Sequence, residues 1–226
     1  MFKQNKIYFI AAIILILAGL ILITKEGKAP EDSGGQVLKS IDQTDHILGE
    51  VSAPVKIIIY SDFECPFCPK FAAAIREVES YFKDKVVIAF RHYFLPNHPN
   101  ALGAAEAAEC ASEQGKFWEM HDKLFADNDA GRLGFEQFKI DAVDLNLNKE
   151  QFNQCLASGK YENKINGQKL EGAKSGVTGT PTIFLNNNIY PGAYPFEDFT
   201  SPDGRQNKGM KNIINEILNE PSLSKG

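Results

Sequence analysis

At 226 residues and 43% apolar content, the chain is long enough to close a full hydrophobic core within one domain. A net charge of −5, with basic residues spread and no basic run, argues against a nucleic-acid-binding surface. Four cysteines, an even number, are compatible with paired disulfides if the chain is exported.

The first predicted element is an apolar run. Lys3 and Lys6 precede residues 7–23, in which nothing is polar except the Tyr8 hydroxyl. That length is the short end of a membrane-spanning helix and exceeds most signal-peptide cores. The best cleavage signal behind it, Gly27-Lys28-Ala29, is poor, and no cysteine follows that would take a lipid anchor. Residues 1–23 are therefore expected to form an uncleaved single-pass signal anchor in the cell membrane. A cleaved signal peptide, releasing a secreted or periplasmic domain, is the alternative. Lys3, Lys6 and the α-amino group favour an N-terminus inside, although Lys25 and Lys28 lie on the far side. The remainder then faces the extracytoplasmic, oxidising side, where stable disulfides belong. Residues 24–44, polar and bearing Gly, Pro and Ser, are expected to be a flexible tether.

The domain proper is expected over 45–220, with a polar tail at 221–226. Residues 46–49 predict a short strand or hairpin arm. Residues 55–60, VKIIIY, are apolar on both faces, as a doubly covered central strand should be. A helix is expected from Cys65 to about Phe82, with Phe71, Ala74, Ile75, Val78 and Phe82 on one stripe. Residues 86–90 predict a second strand, and strand, helix, strand at this spacing implies a parallel βαβ unit. From about 97 to 175 the pattern is helical only, at 101–114, 116–126, 135–145, 149–156 and 161–174. This block is an inserted helical subdomain. Sheet character returns at 182–185, followed by a turn at 186–188 and a second hairpin arm at Ile189-Tyr190. A last helix at about 208–219 is expected to bury Ile213, Ile214, Ile217 and Leu218. The fold class is α/β.

Cys65-Pro66-Phe67-Cys68 falls where the first strong strand feeds its helix, a position that reads as a dithiol–disulfide redox centre. The first amides of a helix lack intrahelical partners, and its dipole is positive there. A Cys65 thiolate is thereby stabilised and becomes both nucleophile and leaving group. Pro66 suits a first helical turn, where its missing donor is not needed. Cys68, just behind, is in reach to close a disulfide and act as resolving thiol. Pro69 disfavours helical geometry at Cys68, which predicts an irregular first turn. Such chemistry requires a reachable Cys65 sulfur.

Three segments carry a family resemblance: Tyr60-Ser61-Asp62-Phe63-Glu64-Cys65-Pro66-Phe67-Cys68, Glu113-Gln114-Gly115-Lys116-Phe117-Trp118 and Gly176-Val177-Thr178-Gly179-Thr180-Pro181-Thr182. Over about 45–218 the chain resembles the DsbA family of thioredoxin-fold disulfide oxidoreductases, most of all its membrane-tethered, BdbD-like branch. The resemblance implies a thioredoxin-like fold (βαβ then ββα), no cofactor, and a cis Thr180–Pro181 bond facing the cysteine pair. It implies that the Thr180 backbone hydrogen-bonds an extended substrate strand by β-addition. On the residues alone, Pro181 reads as an ordinary trans proline opening a strand. The implied reaction is attack of a substrate thiolate on Cys65 of the Cys65–Cys68 disulfide, then resolution of the mixed disulfide by the substrate's second thiolate. The implied partners are cysteine-containing exported proteins and a quinone-linked membrane reoxidase. The family prototype has histidine at the place of Phe67, which supplies neither charge nor hydrogen bond to Cys65. A less depressed Cys65 pKa and a milder oxidant follow. A reductase or isomerase running the same exchange backwards, and a binding module with a structural cysteine pair, stand as alternatives.

Cys110 and Cys155 remain: either they bridge two helices or they are two buried thiols of apolar behaviour. A zinc site built from all four cysteines lacks a second Cys-x-x-Cys. His46, His92, His98 and His121 are scattered without ligand spacing and read as structural. Phe117, Trp118 and Phe125 read as core of the helical block. Asp127-Asn128-Asp129 reads as a solvated loop, since the glycine and distal glutamate of a calcium loop are missing. Whether Glu64 turns its charge toward the Cys65 sulfur is left open by the sequence.

Overall fold

Two runs of apolar residues set the sheet. Val55–Ser61 and Val86–His92 bury all but one of their residues, Lys56, which requires cover on both faces. In the computed structural model, which describes residues 38–220, they pair in parallel from Val55 opposite Val86 to Ser61 opposite His92. In chain order they are β2 and β3, after the short strand β1 (His46–Leu48), which lies antiparallel on the outer edge of β3. On the other side of β2 runs β4 (Thr182–Leu185), antiparallel, and then β5 (Asn188–Pro191). The sheet order is β1-β3-β2-β4-β5.

Helix α1 (Cys68–Phe82) links β2 to β3 and buries Phe71, Ala74, Ile75, Val78 and Phe82, the stripe expected from its periodicity. Among the described residues five helices separate β3 from β4: α2 (Ala101–Ser112), α3 (Phe117–Asp129), α4 (Phe135–Asp144), α5 (Lys149–Ser158) and α6 (Glu162–Lys174). A two-stranded ribbon, β6 (Phe199–Thr200) with β7 (Gln206–Asn207), precedes α7 (Met210–Asn219). This is an α/β thioredoxin-like fold carrying an inserted helical block. The hairpin turn is Asn186-Asn187, one residue shorter than expected, with Asn186 at φ +53° and Leu185 opposite Asn188. Asparagine tolerates that left-handed backbone better than most residues.

Strand alternation splits the core. Val55, Ile57 and Ile59 face the main cluster with α1 and the helical block, while Ile58 and Tyr60 face a smaller one with Val177 and Phe184. Leu38 and Ile41 pack against that smaller cluster. The Lys39 N–H donates to Glu171, and the Ser40 carbonyl accepts from Arg91. The expected tether over 24–44 therefore gives way to packed chain by Leu38, because two apolar side chains three residues apart find a sheet face to cover. Arg91 is 1% exposed; it donates to both Asp45 carboxylate oxygens at 2.8 and 2.9 Å, to the Tyr60 hydroxyl and to Glu171. Removing one partner of such a buried ionic group is far costlier than never having built it. The expected anchor at 1–23, residues 24–37 and the tail at 221–226 lie outside the described residues. Among the described residues no helix is long and apolar enough to cross a membrane.

Candidate active site

Pro69 decides where α1 begins. In a helix starting at Cys65, the Cys65 carbonyl would accept from the N–H of residue 69, and proline has none. The helix expected from Cys65 accordingly starts at Cys68, with Phe67 as its N-cap residue and Pro69 in the first turn. A proline there sacrifices no hydrogen bond. Cys65-Pro66-Phe67 form a turn ahead of the helix, so Pro66 lies outside α1. The Cys65 carbonyl accepts instead from the Cys68 N–H at 3.2 Å and from Asn128 Nδ2 at 3.0 Å. Asn128 was expected in a solvated loop with Asp127 and Asp129. All three lie in the last turn of α3, and Asp127 is buried with its carboxylate on the Arg132 guanidinium. The core-facing side of α3 simply continues past Phe125, a continuation that the acidic composition of this turn conceals.

Cys65 and Cys68 are both free thiols. The Thr180–Pro181 peptide is cis, and the Cys65 thiol donates to the Thr180 carbonyl at 3.2 Å. A hydrogen bond from the Cys68 thiol does most to pull the Cys65 thiol from 9.0 down to about 6; desolvation opposes it, and the Thr180 side chain and the N–H groups of Phe67 and Cys68 add to it. Thr180 Oγ1 is buried and without a partner among the described residues, so it is free to donate once Cys65 ionises. Burial pushes Cys68 the other way, well above 9.0, and the charge of Cys65 adds to that. Phe67 is 65% exposed and its side chain offers the sulfur neither charge nor hydrogen bond; its backbone N–H, common to any residue here, adds to the stabilisation of the thiolate. The expectation of a reachable Cys65 is not met: the residue is 3% exposed and belongs to the main core, which counts against the redox reading, whereas the cis Thr180–Pro181 peptide beside the sulfur counts for it. The turn draws it inward against Thr180.

Glu64 turns away from the sulfur and accepts from the Asn100 N–H and Nδ2 at 2.6 and 2.8 Å. Buried Asp62 accepts from the N–H groups of Glu64 and Leu95 and lies 2.7 Å from His98 Nδ1, bracing the turn before Cys65. Phe63 packs against Phe90, His121 and Phe125, so the aromatic residues of α3 hold the helical block to the strand that carries the site. Beside Phe67 runs a groove of about 490 Å³ lined by Phe71, Tyr194, Pro195, Phe196 and Phe199. Cys110 and Cys155 are joined as a disulfide tying α2 to α5. His46 and His92, read as scattered, meet at Glu109. Strand register places the two histidines on one face, since His46 lies opposite Phe90 and His92 follows Phe90 by two residues, and helix packing then brings in Glu109.

A family model described as thioredoxin matches residues 41–201. The chain belongs to the thioredoxin family. A relative named Na(+)/H(+) antiporter NhaA 1, from Mycolicibacterium gilvum, is 34% identical over 198 residues, 84% of this chain and 32% of that protein. Na(+)/H(+) antiporter NhaA 3 of Salinispora tropica is 41% identical over 155 residues, 68% of this chain and 23% of that one. The chain thus spans about a third or less of the length of these curated relatives. Among solved structures, this thioredoxin-family chain is similar to oxidised BdbD from Bacillus subtilis (20% identity, TM-score 0.66, 80% of this chain and 97% of that one). It is also similar to Wolbachia pipientis α-DsbA1 (24% identity, TM-score 0.60, 78% and 92%). At these identities the likeness is one of fold, the thioredoxin-like fold of DsbA-type proteins.

Proposed function

We propose that the chain is an extracytoplasmic thiol–disulfide oxidoreductase that donates the Cys65–Cys68 disulfide to exported proteins. The observation that carries this reading is the opposite treatment of two thiols in one turn: donors favour the Cys65 thiolate while burial keeps Cys68 protonated. A substrate thiolate attacks the Cys65 sulfur of the disulfide and expels Cys68, which takes up a proton. The substrate's second thiolate then attacks the substrate sulfur of the mixed disulfide and expels Cys65 as the stabilised thiolate. Two electrons pass from the substrate dithiol to the cysteine pair, and the second proton goes to water. Stabilising the reduced form makes the disulfide the better oxidant, and a pKa near 6 against about 3.5 for DsbA marks a milder one. Proximity of Thr180 to the sulfur supports pairing of an extended substrate strand with its backbone, and the aromatic groove supports apolar segments beside that strand.

The apolar residues 7–23 would hold the domain at the membrane near a quinone-linked partner that reoxidises Cys65 and Cys68. Relatives named as Na(+)/H(+) antiporters that contain a matching stretch are in keeping with a membrane-side place. The test is oxidation of a dithiol peptide by the disulfide form, together with the reduction potential of the domain. Cys65→Ser is expected to abolish turnover. Activity unchanged in that variant would leave the cysteine pair a structural clip, and a potential near that of thioredoxin would reverse the direction.

A further inference from the structure

We propose that His46, His92 and Glu109 form a site for one divalent transition metal of the zinc class, with Lys164 as a displaceable internal cation. The sheet builds the pair of imidazoles. β1 and β3 run antiparallel with His46 opposite Phe90, and His92, two residues further along β3, projects from the same face. Glu109 reaches them from α2. His46 Nε2 and His92 Nε2 each lie 2.9 Å from Glu109 Oε1, and the three ligand atoms all fall within 4.8 Å of one another. The side chains of His92 and Glu109 are 2% exposed, and that of His46 is 11% exposed.

Only one of the two contacts at His46 Nε2 can be a hydrogen bond. His46 Nε2 faces Glu109 Oε1 at 2.9 Å and Lys164 Nζ at 3.1 Å. The first contact needs a proton on Nε2, because a carboxylate only accepts. The second needs a bare Nε2, because an ammonium only donates. One nitrogen cannot do both. A metal ion removes the conflict, since both imidazoles and the carboxylate then turn lone pairs to one cation. Lys164 Nζ, 2.8 Å from Glu109, already supplies the positive charge that the buried carboxylate calls for, so a metal ion at this point takes its place. Its side chain reaches in from α6 and is 27% exposed, so it can swing out and leave an entry path. Two imidazole nitrogens and one carboxylate oxygen suit zinc-class ions with a fourth position open, whereas calcium and magnesium demand oxygen. The cluster takes no part in the thiol chemistry, though the His92 ring lies 6.0 Å from that of Phe63, two residues before Cys65.

The test uses the full chain with Cys65 and Cys68 oxidised, so that no thiolate competes for metal. Titration with cobalt(II) is expected to give one equivalent bound, with visible absorption of a nitrogen–oxygen site and no thiolate charge-transfer band. Zinc is expected to displace the cobalt and to raise the thermal midpoint with its concentration. His46→Gln and His92→Gln each weaken binding at least about a hundredfold, more than loss of an outer-shell partner does. Lys164→Met tightens it about tenfold. Failure of the unaltered chain to bind cobalt, or a thermal midpoint indifferent to zinc, overturns the site even if the histidine variants do not fold. Binding that persists in both folded histidine variants overturns it too. An affinity unchanged by Lys164→Met overturns the role given to the lysine.

Discussion

Thr180→Val isolates one donor to the Cys65 sulfur. The substitution keeps the shape, the cis-peptide position and the backbone carbonyl, and removes only the hydroxyl whose oxygen is buried without a partner. Four donors, the Cys68 thiol, the Thr180 side chain and the Phe67 and Cys68 amides, bring Cys65 from 9.0 to about 6 against desolvation. A hydrogen bond to a charged group is worth about 1.5–3 kcal/mol, and the lower end of that range corresponds to roughly one pKa unit for one lost donor. Cys65 is therefore expected to titrate near 7 in Thr180→Val, read from the ultraviolet absorbance of the thiolate as pH is raised. The reduced form loses the same free energy relative to the disulfide, so the reduction potential falls by about 30 mV. Thr180→Ser, which keeps the hydroxyl, is expected to titrate like the unaltered chain. A Thr180→Val pKa still at 6 would show that this side chain contributes nothing to the thiolate and that the Cys68 thiol and the amides hold it.

The same shift makes the reduced protein's stability depend on pH. The folded Cys65 pKa is depressed, so its contribution is fully present above the unfolded value near 9 and is lost as pH falls through 6; urea midpoints of the reduced protein are expected to rise between pH 6 and 9. Cys65→Ser should flatten that rise, which a persisting slope would contradict. Arg91→Met strips Asp45 of its bidentate partner in the core and is expected to cost about 3–5 kcal/mol in denaturant unfolding; a loss under 1 kcal/mol would mean that water reaches Asp45. Gly172→Ala would set a Cβ 2.7 Å from Tyr60 Cε1 and 3.1 Å from Tyr93 Cδ2, so about 1–3 kcal/mol of overpacking should outweigh the helix-propensity gain. A stabilised variant would show that the two rings yield.

What the chain disclosed about its fold follows the strength of its periodicities. Val55–Ser61 is a nearly unbroken apolar run and the stripe of α1 repeats at about 3.6 residues, and both stand where pattern alone puts them. The ribbon Phe199–Thr200 with Gln206–Asn207 is too short to show any period, and it reads as loop. The polar pairs were illegible for another reason. Arg91 with Asp45 joins residues 46 apart, and Glu109 collects His46, His92 and Lys164 from three other elements. No local spacing signals such meetings; they exist only after the sheet register and the helix packing are in place. Cys65 and Cys68 escape this limit because they sit in a short segment whose own residues announce a turn between strand and helix, whereas Thr180-Pro181 is legible as part of the site only through the family resemblance.

The placement of Pro69 connects the misjudged helix start to the chemistry. Had α1 begun at Cys65, that residue would have spent its carbonyl on a helical bond and shared its surroundings with Cys68. With proline at 69 the first bonded turn moves to Cys68, which is carried into the core at 0% exposure. Cys65 is left in a turn whose next two amide donors, those of Phe67 and Cys68, have no other claim on them than its sulfur and carbonyl. Desolvation then acts on both thiols: at Cys68 it outweighs the Ser61 hydroxyl and the Asp62 amide, whereas at Cys65 the donors prevail. Two prolines lacking amide hydrogens, at 66 and 69, frame the pair and prevent the helix from extending backward to equalise it. The difference in acidity between two chemically identical side chains thus follows first from the burial of Cys68 and from the hydrogen bond its thiol gives to Cys65, with the Thr180 hydroxyl and the backbone amides of the turn adding to it.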